Sequence, residues 1–154
     1  MSDGCLRATA VILGILIAPI MLAGCGGINM SEPREVVIAL FGAMEKNDEA
    51  ALTHILDIPE LMRNSQEDYA LQLESARVFT NPEEVLKDLT GDGETKKVWF
   101  ALQRIVANAR IMGETATVEV SFIDKAASRG YRTLFGLHLK HGEWRIYSFK
   151  TVRE

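Results

Sequence analysis

The apolar positions of the chain fall into three regimes, and each predicts a different kind of element. From Ala8 to Met21 they run without a charge between them. From Ser31 to about residue 90 they recur at helical spacing. From residue 103 onward they alternate. In the helical regime Ser31 and Pro33 open a first helix, with Val36, Val37, Leu40, Phe41 and Met44 on one face. Asn47-Asp48 breaks it and starts a second, whose stripe of Ala51, Leu52, Ile55 and Leu56 ends at Pro59. Residues 60–79 predict a third helix through Leu61, Met62, Tyr69, Leu73 and Ala76. Asn81-Pro82-Glu83-Glu84 opens a short fourth that ends before Gly91-Asp92-Gly93.

Strands are predicted at 103–112, 115–123, 131–140 and 143–151, with turns at Gly113-Glu114, Lys125–Gly130 and His141-Gly142. Strand alternation sorts their side chains onto two faces. One collects Ile105, Ala107, Ala109, Ile111, Ala116, Val118, Val120, Phe122, Phe135, Leu137, Leu139, Trp144 and Ile146. The other collects Arg110, Thr117, Glu119, Ser121, Arg132, His138, Lys140 and Arg145. An antiparallel sheet with one apolar face needs a cover there, and the helical stripes are the cover available. The expected fold is therefore α+β, with N-terminal helices packed in a curved antiparallel sheet.

The leading apolar run has a different meaning. Arg7 precedes it, small residues Ala23 and Gly24 close it, and Pro19 interrupts it. The run is shorter than the roughly 20 apolar residues that a membrane span needs, and it has the layout of a secretory signal peptide. Leu22-Ala23-Gly24-Cys25 resembles the lipobox of bacterial lipoproteins. That resemblance implies cleavage between Gly24 and Cys25, acylation of the Cys25 thiol and of the new amino terminus, and membrane attachment through them. Two or more chains give stable anchoring where one does not. Cys5 would leave with the leader, so the mature chain keeps one cysteine and forms no internal disulfide. The domain plan is a signal peptide at 1–24, a lipidated Cys and short flexible tether at 25–31, and an α+β domain at 32–154. Gly26, where many Gram-negative lipoproteins of the inner membrane carry Asp, favours the periplasmic face of the outer membrane.

A second resemblance covers roughly residues 32–150. Phe41-Gly42-Ala43-Met44, Asn47-Asp48, Leu52 and Ile55-Leu56 are similar to the helical start of nuclear-transport-factor-2-like domains. Gly113 to Val120 and Gly142 to Ile146 are similar to strand motifs of that superfamily. More narrowly, the chain resembles small bacterial lipoproteins of unknown function with this cystatin-like, cone-shaped fold. The resemblance implies a cone whose interior serves binding in some members. In others, such as ketosteroid isomerases and polyketide-cyclase-like proteins, it serves acid–base chemistry.

Composition narrows the chemistry. The net charge of −4, with 17 basic and 21 acidic residues interspersed, gives no basic excess for nucleic acid. Three histidines and the cysteines show no metal-ligand spacing, and no phosphate loop or nucleophile elbow is present. Asp88-Leu89-Thr90-Gly91-Asp92-Gly93 begins like a calcium loop, but Trp99 stands where the bidentate Glu is required, so it reads as a polar turn. The expected interior polar residues are Tyr131, Thr133 and Ser148 on the sheet, with Tyr69 from the helices. None is a carboxylate or imidazole, the usual general bases. His54 reads as a solvated flank residue, Asp57 as a local cap or turn, and His138 and Glu119 fall on the wet face. Glu67, Asp68 and Glu74 are expected to face water. The expectation is a non-catalytic binding or assembly domain without cofactor or metal. Its candidate partners are an envelope protein, a small apolar ligand, or a second copy across the sheet face. A small isomerase- or cyclase-like enzyme using the cone cavity is the alternative.

Overall fold

A computed structural model describes residues 28–64 and 78–152. Gly24, Cys25, Glu67, Asp68, Tyr69, Glu74 and most of the predicted third helix lie outside the described residues. Helices α1 (Pro33–Lys46), α2 (Glu49–Ile55), α3 (Ile58–Asn64), α4 (Pro82–Leu89) and α5 (Glu94–Phe100) precede five strands. These are β1 (Gln103–Val106), β2 (Arg110–Met112), β3 (Thr115–Asp124), β4 (Arg129–Lys140) and β5 (Glu143–Val152). Among the described residues the five strands pair antiparallel, in the order β1-β3-β4-β5 with β2 also on β3, and one isolated parallel bridge joins Leu56 to Ile146. The helices-first, sheet-second α+β architecture is the one expected.

Local chemistry explains the helix ends. α1 carries Pro33 in its first turn, and its N-cap, Glu32, makes no side-chain cap bond. Ser31 instead donates to the Asn29 side chain. Asn47 ends α1 in the left-handed region, which asparagine tolerates, and its Oδ1 accepts from Gly91 N and Lys96 Nζ. Asn81 caps α4 by accepting from Glu84 N at 3.0 Å. The Glu84 carboxylate reaches back to the N–H of Thr80, a reciprocal cap.

Three expectations change. Pro59 does not end α2. The chain turns extended at Leu56, which bridges to Ile146, and Pro59 lies in the first turn of α3, where a missing N–H costs nothing. α5 is an element the sequence pattern does not predict: it is only seven residues long, and such a short amphipathic segment carries little periodicity. The predicted strand 103–112 is broken. Val106 faces Val120 and Arg110 faces Thr117, so Ala107, Asn108 and Ala109 oppose only Val118 and Glu119. One surplus residue reverses the alternation. Ile105 therefore sits opposite outward-facing Ser121 and is 50% exposed, while Val106 packs on the core. Ala107 is exposed as well.

The core lies between the helices and the inner sheet face: Val36, Val37, Leu40, Met44, Leu52 and Ile55 meet Val118, Val120, Phe122, Phe135, Leu137 and Ile146. Ile111 faces Ala116 on the inner face yet is 54% exposed. Among the described residues no helix is long and apolar enough to cross a membrane.

Candidate functional site

The concave side of the sheet is filled by rings. Trp99, wholly buried on α5, stands 5.7 Å from Phe41, 5.5 Å from Phe122 and Phe135, and 5.4 Å from Phe149, centroid to centroid. Most of these contacts are edge-on or tilted, the favoured geometry for aromatic pairs. Among the described residues, Trp99 Nε1 and Thr95 Oγ1, one helical turn apart, are buried without a hydrogen-bond partner. Arg104 closes one side of the cluster, its guanidinium 4.0 Å from the Phe100 centroid and donating to the Trp99 carbonyl. Burial pushes the Arg104 pKa below its ordinary value, with Glu45 opposing.

Of the expected cavity residues, Thr133 is buried opposite Val120, its hydroxyl 3.5 Å from that of Thr151. Tyr131 pairs with Phe122 and packs on the core, half-buried. Ser148 is a correction. Gly136 pairs with Ser148 but Leu137 pairs with Ile146, so Tyr147 is an extra residue in β5. Beyond it the alternation reverses, Phe149 turns inward and Ser148 turns outward beside Gly136. Tyr69 lies outside the described residues.

A polar cluster forms on the opposite face of the sheet, and sequence reasoning missed it. Asp57 is buried at the α2–α3 junction, its N–H donating to Ile146 O at 2.8 Å. Its Oδ2 lies 2.5 Å from Lys140 Nζ and 3.0 Å from His138 Nε2. Oδ1 accepts from Glu60 N at 3.4 Å, the local capping expected of it. His138 lies on the outer face that strand alternation predicted, but there it stacks on Tyr147 at 5.0 Å and its side chain is only 23% exposed. Asn64 Nδ2 donates to the Tyr147 carbonyl. Burial by itself raises the Asp57 pKa; Lys140 and His138 together outweigh it and hold the carboxyl below its ordinary value. The one readable signal was His138 and Lys140 on the same strand face. Nothing local ties them to a carboxylate more than 80 positions earlier.

His54 is exposed, as expected, 3.8 Å from Glu143. Glu143 also lies 3.6 Å from Arg145, and Glu119 lies 3.7 Å from Arg132, so the basic residues of the outer face have acidic neighbours. The Asp88–Gly93 stretch is a polar turn: Asp88 accepts from Thr95 N at 3.2 Å and Asp92 lies 3.6 Å from Lys97. Among the described residues no three metal-capable side chains converge. A cleft of about 340 Å³ lies between Phe79, Glu84, Lys87 and Asp92, and a groove of about 370 Å³ lies on the outer face between Arg110, Met112, Glu119 and Leu134.

No protein-family model matches the chain. No curated protein matches it either. Solved structures do. An NTF2-like protein of unknown function from Shewanella baltica OS155 is 14% identical, over 78% of this chain and 90% of that one, with a TM-score of 0.48. An NTF2-like protein of unknown function from Silicibacter pomeroyi DSS-3 is 16% identical, over 76% and 88%, with a TM-score of 0.44. A proposed dehydratase of the NTF2-like family from Streptomyces avermitilis is 14% identical, over 75% and 89%, with a TM-score of 0.43.

Proposed function

We propose that the chain is a lipid-anchored bacterial envelope protein, held through Cys25, whose nuclear-transport-factor-2-like domain works by binding or assembly and not by chemistry. In a Gram-negative cell its place is the periplasmic face of the outer membrane. One observation carries the non-catalytic reading: the concave side of the sheet is packed with Phe41, Trp99, Phe122, Phe135 and Phe149, where a substrate and its base would have to sit. The anchor rests on Leu22-Ala23-Gly24-Cys25. An envelope protein, a small apolar ligand and a second copy across the outer sheet face are the occupants to distinguish.

The isomerase- or cyclase-like reading draws on the Asp57–His138 contact. Both Asp57 oxygens are already engaged, however, and Tyr147 covers the imidazole face, so the group is better suited to clasp than to abstract a proton. Rapid modification of His138 by diethyl pyrocarbonate at neutral pH would favour the enzyme; slow modification favours the clasp.

Mass spectrometry of the protein from detergent-solubilised envelope tests the anchor. It should begin at an acylated Cys25, and Cys25→Ser should move the protein to the soluble fraction. A free thiol at Cys25, or retention of residues 1–24, would refute the anchor. Pull-down from the same extract should return a partner, or a second copy, in stoichiometric amount.

A further inference from the structure

We infer that one end of the sheet, formed by the β2–β3 and β4–β5 turns, is a membrane-docking surface that lies on the phospholipid headgroups with Ile111 and Met112 inserted. The inference rests on the lipid anchor proposed above. The first described residues are already fastened to the fold. Ile28 packs on the core, Met30 is buried, and the Met30 carbonyl accepts from Trp144 N at 2.8 Å, at the start of β5. Cys25 precedes Ile28 by three residues. A chain spans at most about 3.3–3.6 Å per residue, so an acylated Cys25 lies within roughly 11 Å of Ile28. The acyl chains therefore draw this end of the domain toward the bilayer.

The strand register says which residues share that end. Trp144 pairs with Leu139, and Leu139 N donates to Glu114 O at 2.8 Å, so the turns at Gly113-Glu114 and His141-Gly142 are neighbours. Met112 pairs with Thr115 in the first of them. With strands about 4.8 Å apart, Met112 lies roughly 15 Å across the sheet from the Met30–Trp144 bond. Met112 is 78% exposed and Ile111 54% exposed, adjacent in sequence at the tip of this end. Such a pair is unfavourable in water and suited to the headgroup–acyl boundary, where it adds to the acyl anchor and orients the domain. Arg110, Lys140 and His141 are exposed beside the tip, with Glu114 and Glu143 among them, so apolar insertion rather than net charge drives the contact.

The full chain carrying Met112→Cys, or Lys125→Cys as control, tests this. Lys125 is exposed in the β3–β4 turn, about 30 Å away at the opposite end of β3. Acylation occupies Cys25 and the leader removes Cys5, so one thiol takes an environment-sensitive fluorophore. In phosphatidylcholine–phosphatidylglycerol vesicles containing brominated acyl chains, the label at 112 should shift blue and be quenched several-fold more than the label at 125. Equal quenching at both positions, with Cys25 shown by mass to be acylated, overturns the docking surface alone. A blue shift at 112 without bromine quenching means a protein occupant and also overturns it. An unacylated Cys25 overturns the anchor and the docking together.

Discussion

Removing the Trp99 ring should open the middle of the domain. The ring is wholly buried and meets four phenylalanines within 5.7 Å of its centroid. Truncating a buried Trp to Ala costs about 3–5 kcal/mol in lost transfer free energy and residual cavity. The upper part of that range applies, because the four ring contacts are lost together and pairs of this geometry contribute about 0.5–1.5 kcal/mol each beyond area. A domain of this size has a total stability of about 5–15 kcal/mol. Trp99→Ala should therefore lower Tm by roughly 10–25 °C.

The second arm isolates the indole N–H. Trp99 Nε1 is buried without a partner among the described residues, and a buried orphan donor costs about 1–3 kcal/mol. Trp99→Phe removes that cost and leaves only a small void, so it should stay within about 1 kcal/mol of the parent. Urea titration of the purified chain reads both variants against one slope. Trp99→Ala within about 0.5 kcal/mol of the parent would place Trp99 at the surface and refute a filled interior. A Trp99→Phe variant as damaged as Trp99→Ala would mean that the N–H has a partner, and that a ligand or polar group enters the cone.

The clasp and the bulge give two further expectations. Because the Asp57 pKa is depressed in the fold, its contribution is fully present above its ordinary value of 3.8 and is lost as pH falls through the lower folded value. Asp57→Asn should cost about 1–3 kcal/mol at neutral pH, discounted because Lys140 is half exposed. It should also flatten the acid limb of stability against pH, and an unchanged acid limb would dismiss the clasp. Gly136→Ala, which at a compatible site would stabilise by about 0.4–1 kcal/mol, should instead destabilise by about 1–3 kcal/mol. The new Cβ would fall 2.9 Å from Ser148 Oγ and 3.1 Å from the Tyr147 ring. A more stable Gly136→Ala would place the surplus residue of β5 elsewhere.

How much of this was legible in the sequence depends on whether local order carried it. Period 3.6 followed by period 2 is a local property repeated over many residues, and it located α1, α2, α4 and the antiparallel sheet. Val118, Val120, Phe122, Phe135, Leu137, Trp144 and Ile146 are all buried as alternation predicts. Ile111 keeps its predicted face opposite Ala116 and is exposed all the same, whereas Ile105 and Ser148, each turned to the wrong face, share one cause. Each lies on the far side of a surplus residue, and an alternation rule carried past such a residue inverts every side chain beyond it. Nothing in Ala107-Asn108-Ala109 or in Tyr147 marks the surplus, because it arises from pairing with β3 and β4 and not from the strand itself.

Asp57 was hidden for a related reason, and its lesson bears on function. Read locally, Asp57 two residues before Pro59 is a helix cap, and it does cap α3 through Glu60 N. Its other oxygen gathers Lys140 and His138 from a strand that lies beside it only after the sheet has formed. A carboxylate and an imidazole 3.0 Å apart are the raw material of a base, yet position decides their use. Here they lie on the outer side, holding the α2–α3 junction to β4, while the separate Asp57 N–H to Ile146 carbonyl bond ties it to β5. The inner side of the sheet holds rings instead. The same residue types with the faces exchanged would support the opposite conclusion about chemistry. The side of the sheet on which the pair sits, and not its presence, is what supports the binding role proposed above.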